Sequence, residues 1–92
     1  MSDSYTKDPA ALLDYSWDWS LWLAEVDDMI SSATVTVPEG LTAVGSPVVG
    51  DTMVTQRVSG GIVDVAYTLV CQITTVGGLI DERSIYLTIA ER

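Results

Sequence analysis

Carboxylates are the reactive group this chain carries in quantity: thirteen in 92 residues, beside one cysteine and no histidine. They stand in pairs at Asp27-Asp28 and Asp81-Glu82, while Asp14 and Asp18 alternate with Ser16 and Ser20. Adjacent carboxylates could hold a hard cation, but such loops space their oxygen ligands at alternating positions. Neither pair is spaced in that way, and solvated turn charge is the preferred reading of both. For Asp14 and Asp18 an outward polar strand face is preferred to a carbohydrate or cation site. Without histidine the commonest general base and metal ligand is missing. Cys71 therefore lacks the partner that usually activates a thiolate. It lies inside an apolar run, where a buried, inert thiol is expected. "SGGIVD" and "VGGLID" have hairpin spacing, without a phosphate-loop lysine or a following helix. No catalytic, cofactor-binding or metal-ligating residue is expected, and the chain does not read as an enzyme.

The formal net charge of −9 narrows the partners. Binding to nucleic acid draws on clustered lysine and arginine, and here four basic residues are scattered along the chain. The same balance disfavours an anionic membrane surface. No apolar run approaches the ~20 residues of a membrane span, and the polar start "MSDSYTKDPA" has no leader-like pattern. Neither nucleic acid nor membrane is expected as a partner. A single cysteine fits synthesis in a reducing cytoplasm.

The elements that would position these groups read as strands. "LDYSWDWS" alternates strictly, with Leu13, Tyr15, Trp17 and Trp19 on one side and Asp14, Ser16, Asp18 and Ser20 on the other. Period 2 marks a strand with one buried face. Tyr15, Trp17 and Trp19 are expected in the core, since a domain without phenylalanine has no other large aromatic source than its tryptophans and tyrosines. Trp22 falls off the alternation, and could cap the sandwich or anchor a neighbouring subunit. "AEVDD" is expected to turn the chain. "MISSATVTV", "DTMVTQRV", "DVAYTLVCQITT" and "LIDERSIYLTI" follow as strands, with a short edge strand near Leu41 to Val44 and a hairpin at the glycines of 76–78. Tyr67, Leu69, Ile85 and Leu87 complete the expected core. Tyr67 stands where immunoglobulin-like sandwiches place a corner tyrosine. The fold expected is all-β, a small immunoglobulin- or fibronectin-III-like sandwich over residues 12–92 with a short N-terminal arm over 1–11.

The motifs "KDPAALLDYSWDWSLWL", "VPEGLT", "VSGG" with "YTL", and "ITTVGG" with "DERSI" together resemble a family of small immunoglobulin-like virion structural proteins of tailed bacteriophages. Its approximate pattern is DPxxxLDYxxDWxxWL, VPxGLT, SGGxxxxxY and TTxxGxxDERS, and the likeness covers about residues 7 to 92. Members are often described as fibre–tail adaptors. Two departures stand out: "GGIVDVAY" lacks the usual second small residue before the tyrosine, and "SWDWSLW" is unusually aromatic. The resemblance implies a non-catalytic virion component, made in the bacterial host cytoplasm and assembling with tail, fibre or major capsid proteins, as an adaptor or as capsid decoration or cement. A homo-oligomer in the particle is expected too. Candidate contact residues are Tyr5, Lys7, Pro9, Leu12, Trp22 and Leu23, with the arm gaining order only in the assembly. Deleting the arm is expected to leave the sandwich folded and to impair incorporation. The alternative is a carbohydrate-binding module that touches the host surface through Trp22 and the Asp14/Asp18 face.

Overall fold

A computed structural model describes residues 3–91. Valine, isoleucine and threonine suit a pleated, half-buried surface and are frequent in the last five of seven strands: β1 (Asp3–Lys7), β2 (Leu13–Asp18), β3 (Ile30–Thr36), β4 (Leu41–Val49), β5 (Met53–Gly60), β6 (Ala66–Thr75) and β7 (Ile80–Ile89). A single helix, α1 (Ser20–Val26), interrupts them. One sheet has the order β1-β7-β6-β3 and the other β2-β5-β4. Every neighbouring pair is antiparallel except β1 with β7. The middle orders match the C-F-G and B-E-D halves of an immunoglobulin sandwich, with the first strand placed beside the last. The fold is the expected small β-sandwich.

Between the sheets lies one buried cluster, and it contains Tyr15, Trp17, Trp19, Tyr67, Leu69, Ile85 and Leu87 together with Leu23, Val54, Val58 and Ile73. Alternation places them: odd-numbered residues of β6 and β7 point inward and even-numbered ones outward. Leu13 shares the inward parity of β2, yet it is half exposed at the rim of the sheet. Cys71 is buried among these side chains, and desolvation pushes its thiol up to about 12.

The β6–β7 hairpin closes through the Thr75 Oγ1, which accepts the Leu79 N–H at 2.9 Å. Gly78 there has φ +90, a conformation that favours glycine. At the other end Tyr67 ties the β5–β6 connection, its hydroxyl accepting the Ile62 N–H at 3.2 Å. The ring packs so closely on Gly40 that an added Cβ would stand 2.6 Å from the hydroxyl oxygen.

Four expectations are corrected. Residues 3–7 are not a free arm: β1 pairs with β7 from Asp3↔Ile85 to Lys7↔Ile89. Residues 1 and 2 lie outside the described residues. Lys7, a candidate contact residue, is fully buried. Its stem packs inside while Nζ donates to the carbonyls of Asp8 (2.8 Å) and Gly60 (2.7 Å), which satisfies a charge that rarely enters an interior unpaired. Burial holds its ammonium below the usual lysine value, against the opposing pull of Asp8. The residues after Asp18 form a helix rather than the end of a strand, which buries Leu23, another candidate contact. Finally, β4 continues past Val44 to Val49, with an irregularity between Val44 and Val48 that accommodates Pro47 at a sheet edge. Buried Gln56 donates its amide to the Gly45 carbonyl at 3.2 Å and steadies that irregularity.

Because β1 fills a sheet position and inserts Lys7, deleting residues 1–7 should destabilise the sandwich itself. In a domain of this size 1 kcal/mol corresponds to about 4–8 °C, and a drop of about 10 °C or more in the unfolding midpoint is expected by circular dichroism. An unchanged midpoint would restore the free-arm reading.

Candidate interaction surface at the helix end

Trp19 stands where β2 stops, and its backbone N–H still reaches the other side of its sheet, donating to the Thr52 carbonyl at 2.9 Å. The Asp18 carboxylate then turns the chain by accepting the Ser20 N–H at 2.8 Å. This short side-chain turn starts α1, and "LWLAE" is built of residues that tolerate a helix well. The helix ends at Asp27, whose φ of 50 lets its N–H fold back on the last helical carbonyls. Two turns suffice to send Leu23 into the core, leave Trp22 half buried against it and put Leu21 outside at 85 % exposure.

The indole of Trp19 is completely buried, and its Nε1–H donates to Asp81 Oδ2 on β7 at 2.8 Å. The bond joins one sheet to the other. Arg83 lies over the same ring, 5.1 Å from guanidinium carbon to centroid. Its Nη1 donates to the Asp18 carbonyl at 2.9 Å, and its Nε stands 3.5 Å from Asp81 Oδ2. One carboxylate therefore serves the indole and the guanidinium, and the guanidinium in turn holds the first turn of α1. Hydrogen bonds from Ser20, with the nearby charge of Arg83, keep the Asp18 carboxyl below its ordinary value.

Other loops are stitched to this end. Val76 donates its N–H to the Met29 carbonyl at 2.9 Å, and Ile30 donates to the Asp51 carbonyl at 2.8 Å. Asp28 accepts the Gly77 N–H, and a Cβ on that glycine would stand 2.6 Å from its carboxylate. The Thr75 hydroxyl first, then the Met29 and Gly77 N–H groups, lower the Asp28 pKa. Asp28 is thus a structural clamp, and Asp27 its neighbour in the turn. Among the described residues no group of three or more His, Cys, Asp or Glu is placed to hold a metal.

The result is a groove of about 300 Å³ lined by Asp18, Ser20, Leu21, Trp22, Glu25 and Arg83. Val76, Leu79 and Ile80 are exposed apolar residues at the β6–β7 turn. An indole and a guanidinium beside a protruding leucine, with carboxylates at the rim, is the side-chain composition of an interface centre. Three of its lining residues are motif residues, Asp18 and Trp22 in DWxxWL and Arg83 in DERS.

The sequence model of one family, described as "Podophage GP4 fiber-tail adaptor protein gp77", matches residues 7–88. The chain belongs to this family. No curated protein matches it. The match spans the sandwich from Lys7, the last residue of β1, almost to the end of β7. Within it, Trp22 is the only candidate contact residue that the structure brings into the groove. Tyr5, Pro9 and Leu12 lie elsewhere: Tyr5 on β1 with its ring 5.4 Å from that of Tyr15, Pro9 and Leu12 in the β1–β2 connection. Asp14 is apart as well, paired with Arg57 at 2.9 Å beside a separate groove near Val44 and Val48. Sequence reasoning missed Leu21, Glu25 and Arg83. The signal for Leu21 and Glu25 was the helix, of which "DWS" followed by "LAE" is the trace, while Arg83 stands on β7.

Trp17 gives an internal contrast with Trp19. Its indole nitrogen is buried and has no hydrogen-bond partner among the described residues. Removing an orphaned donor offsets the lost ring area, whereas a bond to a charged acceptor contributes about 1.5–3 kcal/mol. Trp19→Phe should therefore lower the unfolding midpoint by on the order of 10 °C, and Trp17→Phe by less than about 5 °C. Equal losses in thermal melts would show that the Trp19–Asp81 bond adds nothing beyond packing.

Proposed function

We propose that this chain is a non-catalytic connector in the virion of a tailed phage, and that it docks a tail or fibre protein at the helix-end groove. The observation that carries the reading is the gp77 fibre–tail adaptor match over residues 7–88, together with one exposed groove at which Leu21 and Trp22 of α1 meet Arg83 of β7. Adaptors work by geometry: an apolar anchor fills a groove, a polar rim sets orientation, and repetition around a symmetric particle turns modest contacts into firm attachment. Here Trp19, Asp81 and Arg83 fix α1 against the sandwich, and α1 presents Leu21 and Trp22. Carboxylates at the rim favour a partner segment that carries apolar and basic side chains. Synthesis in the host cytoplasm belongs to the same reading, as does the absence of catalysis. Capsid decoration and glycan binding draw on no contact that distinguishes them, and Asp14 lies outside the groove that contains Trp22.

Leu21→Asp tests this surface without touching the core, since exposed substitutions usually change stability by less than about 0.5 kcal/mol. The expected outcome is an unchanged unfolding midpoint and a strong loss of this chain from purified particles, measured by quantitative mass spectrometry. Incorporation at wild-type level would remove the groove from the attachment.

A further inference from the structure

We infer that the outer face of the four-stranded sheet is a contact between two copies of this chain. The face is formed by the even-numbered residues of β6 (66–74) and β7 (80–88), five on each, flanked by Ser4 and Thr6 of β1 and by Ser32, Thr34 and Thr36 of β3. Of these fifteen positions only Glu82 is charged, and it lies toward the helix end. An even spread of the chain's seventeen charged residues would put about three there. Strand propensity explains the threonines but not the missing charge. The outer face of the other sheet, made of the same kinds of strand, carries Asp14, Asp18 and Arg57.

Charge selects the occupant. Each copy bears a net −9, so repulsion between two copies is least where their facing surfaces carry the fewest carboxylates. A basic partner would be drawn instead to the acidic helix end. The chemistry of the face is also self-complementary. Serine, threonine and tyrosine hydroxyls and the Gln72 amide both donate and accept hydrogen bonds, so such a face can pair with its own copy across a two-fold axis. A face of carboxylates could not. Tyr86, half exposed near its centre and opposite Thr68 in the register, supplies the aromatic anchor. Four strands at about 4.8 Å spacing and about eight residues of mean length give a flat area on the order of 500 Å² per copy. That is at the lower end for a specific interface. The free protein should accordingly form a weak, concentration-dependent dimer.

Sedimentation equilibrium of the full chain from micromolar to millimolar concentration tests this. Wild type is expected to dimerise, and to hold or strengthen the dimer as salt screens the net repulsion. Tyr86→Glu and, separately, Thr68→Glu should weaken association by at least about tenfold, while Ser16→Glu on the other sheet leaves it unchanged. Near-UV circular dichroism confirms that each variant keeps its packing. A wild-type chain that stays monomeric throughout would overturn the inference. So would a dimer that Ser16→Glu or added salt dissociates and Tyr86→Glu does not. Either result leaves attachment through the Leu21 groove standing.

Discussion

A buried indole that reaches across the sandwich to a carboxylate is the contact on which this structure turns. Packing of two sheets is non-directional, and a 92-residue chain without phenylalanine or a disulfide has little apolar area to spare. The Trp19–Asp81 bond adds direction. It fixes the end of β2 against the start of β7, and Arg83, stacked on the same ring, carries the constraint to the carbonyl from which α1 departs. Core, helix and groove therefore share one joint. The groove is rigid because its floor is the core.

Several other long-range contacts are joints of this sort. Gly40 makes room for Tyr67, Gly61 for Ile89, and Gly77 for Asp28. Lys7 closes on the Gly60 carbonyl. Each pair lies far apart in sequence and meets where one element hands over to the next, so these contacts hold the sandwich at its corners. Within "SWDWSLW" the roles divide: Trp17 fills the interior at the cost of an orphaned N–H, and Leu21 and Trp22 build the exterior.

What was legible in the sequence follows the same physics. Alternation in "LDYSWDW" and in "SIYLTI" located β2 and β7 and the inward side of each, because one face of these strands is dry, and a nearly continuous apolar run located β6. Tyr67 was legible from its place after a glycine turn. The first strand was not. "DSYTK" is polar, and its pairing partner lies some eighty residues away at Ile85–Ile89. Nothing local announces a lysine whose stem is interior and whose ammonium rests on two carbonyls. Helix α1 escaped notice because seven residues are too few for a 3.6-residue period to separate from alternation. With it went Leu23's burial and the groove itself. The uncharged outer sheet face was visible in the residues, but only the register of four strands gathers it into one surface.

The most direct test of the joint is hydrogen exchange at the indole nitrogens, followed by NMR in the isolated protein. The Nε1–H of Trp19 should be protected to the level of core amides such as those of Leu69 and Ile73, while that of half-exposed Trp22 exchanges rapidly. Trp19 exchanging as fast as Trp22 would mean that the sheets are not pinned at this end, and that α1 and its groove lack a fixed base.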